Sequence, residues 1–121
     1  MKYPKMNPNI KKMWLKALCS GEYVQGRKRL LTVQENGEHS FCCLGVLCDL
    51  HSRETGQKWR ERHSVLDGTS LGSYLDCEVM SPMDVDNWSG IDFATQLKLA
   101  NMNDKGKQSF KAIANWISRN L

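Results

Sequence analysis

The sequence predicts an α+β fold: a small single domain in which about four helices pack on a small, mainly antiparallel sheet. Helical spacing of apolar residues near both ends of the chain, and an Asn36-Gly37 pair typical of hairpin turns, support this class. With 121 residues, 40% hydrophobic and 25% charged, the composition is that of one ordinary globular domain. We therefore expect residues 1–121 to share one core.

The first helix is predicted over residues 8–20. Asn7 is suited to cap its start, Pro8 to occupy its first position, and Gly21 to end it. Trp14 is expected to anchor the apolar face. The opposite face is basic and carries Lys11, Lys12 and Lys16.

A hairpin is predicted over residues 30–41, with strands at 30–33 and 39–41 joined at Asn36-Gly37. The apolar, cysteine-rich run that follows predicts a central helix over 42–54, closed by Gly56. Gly45 lies inside this helix at a cost of about 1 kcal/mol against alanine. Its presence indicates close contact with a neighbouring element or chain.

The second half of the chain is less regular. No single element is predicted over 57–67, whereas 74–79 is predicted to be a strand and 82–89 a short helix. The loose alternation of 96–102 is interpreted as a strand, followed by a turn at 103–106. A last amphipathic helix is expected over 109–120.

Five cysteines, an odd number without a secretion signal, indicate reduced thiols in the cytoplasm. Cys42, Cys43, Cys48 and His51 are zinc-ligand types, but their spacing does not match two separated ligand pairs. Cys42 near His39 is the one arrangement that resembles an activated thiol. We expect buried thiols, with no catalytic residue, no metal site and no cofactor. No apolar run approaches the roughly 20 residues that span a bilayer, so no membrane association is expected.

The better-supported class is binding of an anion. Basic residues cluster in three segments, 11–16, 27–29 and 58–62. The aromatic residues Trp59, Trp88 and Tyr74 are suited to stack on a base. Gly26 allows the backbone to approach a ligand closely. The predicted ligand-binding residues are Gln25, Arg27, Lys28, Arg29, Trp59, Arg60, Arg62 and Tyr74. A nucleotide or a single nucleic-acid strand fits this set, and the alternative is core aromatics beside solvated charge.

Three segments together resemble a family of small proteins encoded by tailed bacteriophages. They are GEYxQGR at 21–27, FCCLGVLCDL at 41–50 and LAxMNDxGxxSFxxIA at 99–114. The resemblance implies a viral protein acting in the host cytoplasm.

Accessory phage proteins of this size are often binders of host factors. We therefore expect a non-enzymatic protein that counters host defence, by sequestering a nucleotide immune signal or by binding a host defence protein. Because a sequestering protein often shares its site between subunits, a homo-oligomer belongs to this expectation. The alternatives are a nucleic-acid-binding regulator of the infected host and a thiol- or zinc-dependent enzyme.

Overall fold

The computed structural model describes residues 3–26, 30–34, 38–57, 59–62, 74–79 and 82–121. Within these ranges the chain forms five helices and four strands, so the predicted α+β class is confirmed. In chain order they are α1 (Pro8–Cys19), β1 (Leu31–Gln34), β2 (His39–Phe41), α2 (Cys43–Thr55), β3 (Trp59–Arg62), β4 (Tyr74–Val79), α3 (Pro82–Ser89), α4 (Phe93–Asp104) and α5 (Phe110–Asn120).

The sheet has the strand order β2-β1-β4-β3, and each neighbouring pair is antiparallel. The predicted hairpin is confirmed as β1 and β2, with Leu31 opposite Phe41. Its predicted turn at Asn36-Gly37 lies outside the described residues. The predicted strand at 74–79 is β4, which lies between β1 and β3.

The prediction of a strand over 96–102 is wrong, because these residues lie in α4. The Asp92 side chain caps this helix by accepting a hydrogen bond from Thr95 N at 2.8 Å. The buried positions do follow helical spacing, but Thr95 and Asn103 are polar and only Leu99 and Met102 are apolar. The apolar period is therefore too weak to reveal the helix. The predicted turn also begins later, since α4 continues through Asp104.

The core lies between the α1–α5 pair and α2, and Trp14 is its largest fully buried side chain. The indole N–H of Trp14 donates to the Cys43 carbonyl oxygen at 3.0 Å, so the ring is buried without an unsatisfied donor. Both flanking helices begin where the sequence predicts. The Asn7 side chain accepts from Asn9 N and Ile10 N at the start of α1, and Ser109 caps α5 through Ala112 N.

At Gly45, α2 lies against the backbone of Leu30, the residue that precedes β1. A Cβ atom at this position would lie 1.8 Å from the Leu30 carbonyl oxygen, well inside van der Waals contact. The same oxygen accepts a hydrogen bond from Cys42 N at 3.3 Å. The tight contact expected from the sequence is thus a backbone-to-backbone approach that only glycine permits.

Replacing Gly45 by alanine tests this approach through the sign of its effect. Helix propensity alone would stabilise the variant by about 1 kcal/mol. The steric conflict with Leu30 instead predicts a loss of about 1–3 kcal/mol or more in the free energy of unfolding. Urea denaturation measures it, with Ser118→Ala on the exposed side of α5 as the control, expected to change stability by less than about 0.5 kcal/mol. A Gly45→Ala variant as stable as the natural protein would contradict the packing described here.

Candidate anion-binding site

The predicted ligand-binding residues fall into three groups in the structure. Arg27, Lys28 and Arg29 lie outside the described residues. Arg60, Arg62 and Tyr74 are described as backbone positions in β3 and β4. Gln25 and Trp59 have described side chains, and both are held by hydrogen bonds.

The amide of Asn103 is the centre of the polar network around Gln25. Its side chain is fully buried on α4, and Oδ1 accepts from Gln25 Nε2 at 2.9 Å and from Cys43 N at 3.2 Å. Its Nδ2 group donates to the Gly26 carbonyl oxygen and to Asp104 Oδ1, both at 2.9 Å. Both acceptor sites and both donors of the amide are therefore used.

Gln25 and Gly26 each donate a further hydrogen bond to a backbone carbonyl oxygen. Gln25 Nε2 also donates to the Gln108 carbonyl oxygen at 2.7 Å, just before α5. Gly26 N donates to the Phe41 carbonyl oxygen at 2.7 Å, and a Cβ atom on Gly26 would lie 2.8 Å from Ser40 Oγ. Gln25 uses its amide nitrogen inside the protein, so the contacts give it a positioning role for the residues that follow.

A second polar cluster holds the beginning of the same segment. Asp49 on α2 accepts from the Tyr23 hydroxyl at 2.5 Å and from the Trp59 indole N–H at 3.3 Å. Arg53, one turn further along, places its Nε 3.1 Å from Asp49 and its guanidinium 5.8 Å from the centre of the Tyr23 ring. Burial and the hydrogen bond to Asp49 raise the pKa of Tyr23 above its ordinary value.

Segment 23–26 is therefore clamped at both ends, and we call it the clamped segment. Tyr23 is bound to α2 through Asp49, and Gln25-Gly26 is bound to α4 through Asn103. The basic tripeptide 27–29 follows it directly in the sequence. Sequence reasoning missed Asn103 and Asp49 as partners of this segment, although the spacing of Asp49 and Arg53 is that of a helical ion pair.

Trp59 belongs to this second cluster by its contacts. Besides its hydrogen bond to Asp49, its ring meets Phe41 edge-on with 6.3 Å between ring centres, and it is half-buried. Phe41 in turn meets Tyr23 at 4.9 Å. These contacts give Trp59 a packing role, holding β3 against α2.

The β3–β4 ladder places acidic positions opposite the basic ones. In its register Arg60 pairs with Glu78, and Arg62 pairs with Asp76. With Glu61 also in β3, the two strands carry two Arg against three acidic residues, a formal charge of −1. The basic tripeptide after the clamped segment has no such acidic positions beside it in sequence, because its nearest neighbours are Gly26 and Leu30.

The cysteines of the apolar run serve the start of α2. Cys42 is the N-cap residue, and its sulfur accepts a hydrogen bond from Gly45 N at 3.3 Å. Burial raises the pKa of Cys42 to about 11 and that of Cys48 to about 12, and it raises the pKa of Cys43 well above its ordinary value. Near neutral pH all three are protonated thiols, which are poor nucleophiles.

The described residues were compared with two other kinds of site, a metal centre and a membrane span, and match neither. They contain no group of three or more His, Cys, Asp or Glu side chains arranged to hold a metal ion. Among the same residues, no helix is both long enough and apolar enough to cross a membrane.

Comparison of the chain with curated proteins and with solved structures gives no match in either set. One family model does match, that of a domain of unknown function, DUF8296, and it covers residues 6–121. This range includes every helix and strand given above and both halves of the clamp. The chain therefore belongs to the DUF8296 family.

Proposed function

We propose that this protein is a phage-encoded, non-enzymatic binding protein that counters host defence by sequestering an anionic, nucleotide-like immune signal. In this proposal Arg27, Lys28 and Arg29 contact the anion. The observation that carries it is the clamped segment, in which partly buried Asp49 on α2 and buried Asn103 on α4 fix the chain up to Gly26.

The clamp supports binding because it lowers the entropic cost of placing the adjoining residues on a ligand. A binding segment that starts from a fixed point has fewer conformations to lose when it binds an anion. Arginine suits the ligand, since its planar guanidinium binds phosphate oxygens in pairs. Gln25 and Gly26 are held by hydrogen bonds to Asn103, Gln108 and Phe41.

Raised thiol pKa values support the non-enzymatic part of the proposal. Catalysis by cysteine requires a thiolate, usually produced by a nearby cation or base. Burial acts in the opposite direction on Cys42, Cys43 and Cys48. The sulfur of Cys42 is also engaged as the cap of α2.

The phage context rests on the resemblance of the three motif segments to proteins of tailed phages. These segments are far apart in sequence, yet one residue from each meets at the Asn103 amide. Gln25 comes from the first segment, Cys43 from the second and Asn103 itself from the third. The residues that carry the resemblance are thus the residues that build the clamp.

Charge reversal of the tripeptide tests the proposed function. Native mass spectrometry of the protein purified from bacterial cells, followed by denaturation, is expected to show a phosphorylated nucleotide released by the natural sequence. The combined variant Arg27→Glu, Lys28→Glu and Arg29→Glu should release none, because its three carboxylates repel the anion. Lys98→Glu on the exposed side of α4 is the control and should retain the nucleotide. Equal release of nucleotide from both variants would refute the tripeptide as the ligand contact. A host protein that copurifies in place of a nucleotide would refute the proposal that the ligand is a nucleotide.

The substitution Asn103→Asp tests the clamp. It preserves the shape of the side chain but replaces the Nδ2 group, which donates two hydrogen bonds, by a carboxylate oxygen. That oxygen would face the Gly26 carbonyl oxygen and Asp104 Oδ1, which are both acceptors. We expect a loss of about 2–4 kcal/mol in the free energy of unfolding at neutral pH.

The same variant has a predicted pH dependence. Its new carboxyl group has a folded-state pKa above the unfolded value of about 4. The destabilisation is therefore smallest below pH 4 and grows as pH rises through the folded-state pKa. Denaturant titrations at several pH values measure it, and Asn101→Asp, exposed on the same helix, should show neither effect. Equal stability of the two variants would mean that the clamp does not hold the segment.

Thiol reactivity distinguishes the binding protein from the thiol enzyme. In the folded protein at neutral pH, iodoacetamide should modify exposed Cys19 and leave Cys42, Cys43 and Cys48 unmodified until denaturant is added. Peptide mapping by mass spectrometry assigns each site. Faster modification of Cys42 than of Cys19 would favour the enzyme.

A further inference from the structure

The charges of this chain are divided between its ends and its middle. Residues 1–21 and 105–121 contain nine Lys or Arg and no Asp or Glu. Residues 22–104 contain the other eight Lys or Arg and all 13 Asp and Glu. The modest formal charge of +4 therefore hides a strongly basic pair of terminal segments and an acidic middle.

The fold brings these two terminal segments together. The Lys11 ammonium group on α1 donates to the Ser118 carbonyl oxygen on α5 at 3.2 Å. Beside it, the rings of Tyr3 and Trp116 meet edge-on at 5.1 Å. The start of α1 thus lies against the end of α5, and neither helix contains an acidic residue.

Four exposed cations lie on the two helices that meet here. Lys12 and Lys16 are one turn apart on α1, about 6 Å along its axis. On α5, Lys111 is seven residues from Ser118, about two turns, and so lies on the same side of the helix. Arg119 follows Ser118 directly. We call these residues the basic face: Lys12, Lys16, Lys111 and Arg119.

Lys16 and Arg119 lie in the last turns of their helices, where the helix dipole favours a cation. Lys12 repels Lys16 at i,i+4 spacing. Lys111 lies in the first turn of α5, where the dipole favours an acidic residue, and that turn contains none. The unfavourable placement of Lys12 and Lys111 within their own helices supports a role in binding an external anion.

The chemistry of the basic face identifies the kind of anion. Protein interfaces are anchored by apolar and aromatic side chains. Among the described residues, the exposed large hydrophobic side chains are Val24, Phe93 and Leu97, and none of them belongs to α1 or α5. A face of cations without such an anchor matches a phosphodiester backbone. Single strands also require aromatic residues that can stack on bases. Tyr3 and Trp116 are partly buried and pack against the core and against each other, which favours a duplex.

We propose that the α1–α5 basic face binds the backbone of duplex nucleic acid through its phosphates, without reading the base sequence. Lys11, held by Ser118, joins the two helices across the face. This surface is separate from the tripeptide of the proposed function and does not depend on it. Phosphate contacts position a protein on a duplex but carry no sequence information.

Fluorescence anisotropy with a labelled duplex DNA of mixed sequence tests the inference. Contact with about four phosphates predicts a slope of log affinity against log salt concentration of about −3.6, a loss of roughly a hundredfold between about 50 and 200 mM salt. Replacing Lys12 and Lys16 together by glutamine should reduce the magnitude of the slope by about 2. Changing the base sequence should have little effect.

The controls separate this surface from the rest of the molecule. Lys98→Gln on α4 changes one exposed lysine outside the basic face and should leave affinity and salt slope unchanged. Lys12→Gln alone should reduce the magnitude of the salt slope by about 1. Far-ultraviolet circular dichroism checks that each variant is folded. Absence of duplex binding by the natural sequence, or an unchanged slope in the Lys12 and Lys16 variant, would overturn the inference.

The charge-reversed tripeptide variant tests the proposed nucleotide site and the proposed duplex site separately. If it loses its nucleotide but keeps duplex binding with the full salt slope, the basic face is supported as a second surface. If it loses duplex binding while the Lys12 and Lys16 variant keeps it, the duplex site belongs to the tripeptide and the inference is wrong. Nucleotide release without any duplex binding would refute the basic face and leave the proposed function intact.

Discussion

The arrangement of the described structure depends on one buried amide, that of Asn103. A buried polar group is costly unless its hydrogen bonds are made, and the low dielectric of the interior strengthens those that are. Its four partners come from the clamped segment, from the start of α2 and from Asp104 next to it. No apolar side chain of similar size could join these elements, because Cys43 N and the Gly26 carbonyl oxygen would lose their partner.

Close packing at the start of α2 explains why the run at 41–50 is rich in cysteine. Helix α2 begins against β1 so closely that Gly45 has no room for a side chain. A thiol at Cys42 supplies the cap acceptor there, and Cys43 is fully buried with its sulfur 3.6 Å from the Leu99 carbonyl oxygen. The cysteines are small residues in a crowded junction. The described contacts of Cys42 and Cys43 are those of helix capping and packing.

The two proposed anion-binding surfaces have different construction. The tripeptide follows a segment held by buried polar side chains, a design that suits a small ligand needing exact placement of a few contacts. The basic face is formed by exposed side chains on two regular helices, and this suits a repeating polyanion for which charge density matters more than geometry. A protein with both proposed surfaces would combine selective capture of a small anion with weak, salt-sensitive association with nucleic acid.

The sequence by itself determined α1, α5, the β1–β2 hairpin and the course of α2. In each case caps, turn residues and apolar spacing lie within a dozen residues of one another, so local patterns suffice. It also marked Gly45 as a point of close contact. It misassigned α4, whose buried side includes Thr95 and Asn103, because polar residues at core positions conceal the helical period.

Only the tertiary structure decided the role of Asn103, Asp49 and Trp59. Gln25 and Asn103 are 78 residues apart, and Tyr23 and Asp49 are 26 apart. A buried polar side chain is stable only with its partners, and those partners are set by the packing of α2 and α4 rather than by neighbouring residues. The joining of two basic ends into one face is likewise a result of helix packing. Local sequence determines which residues form a helix, and the fold determines which residues that helix meets.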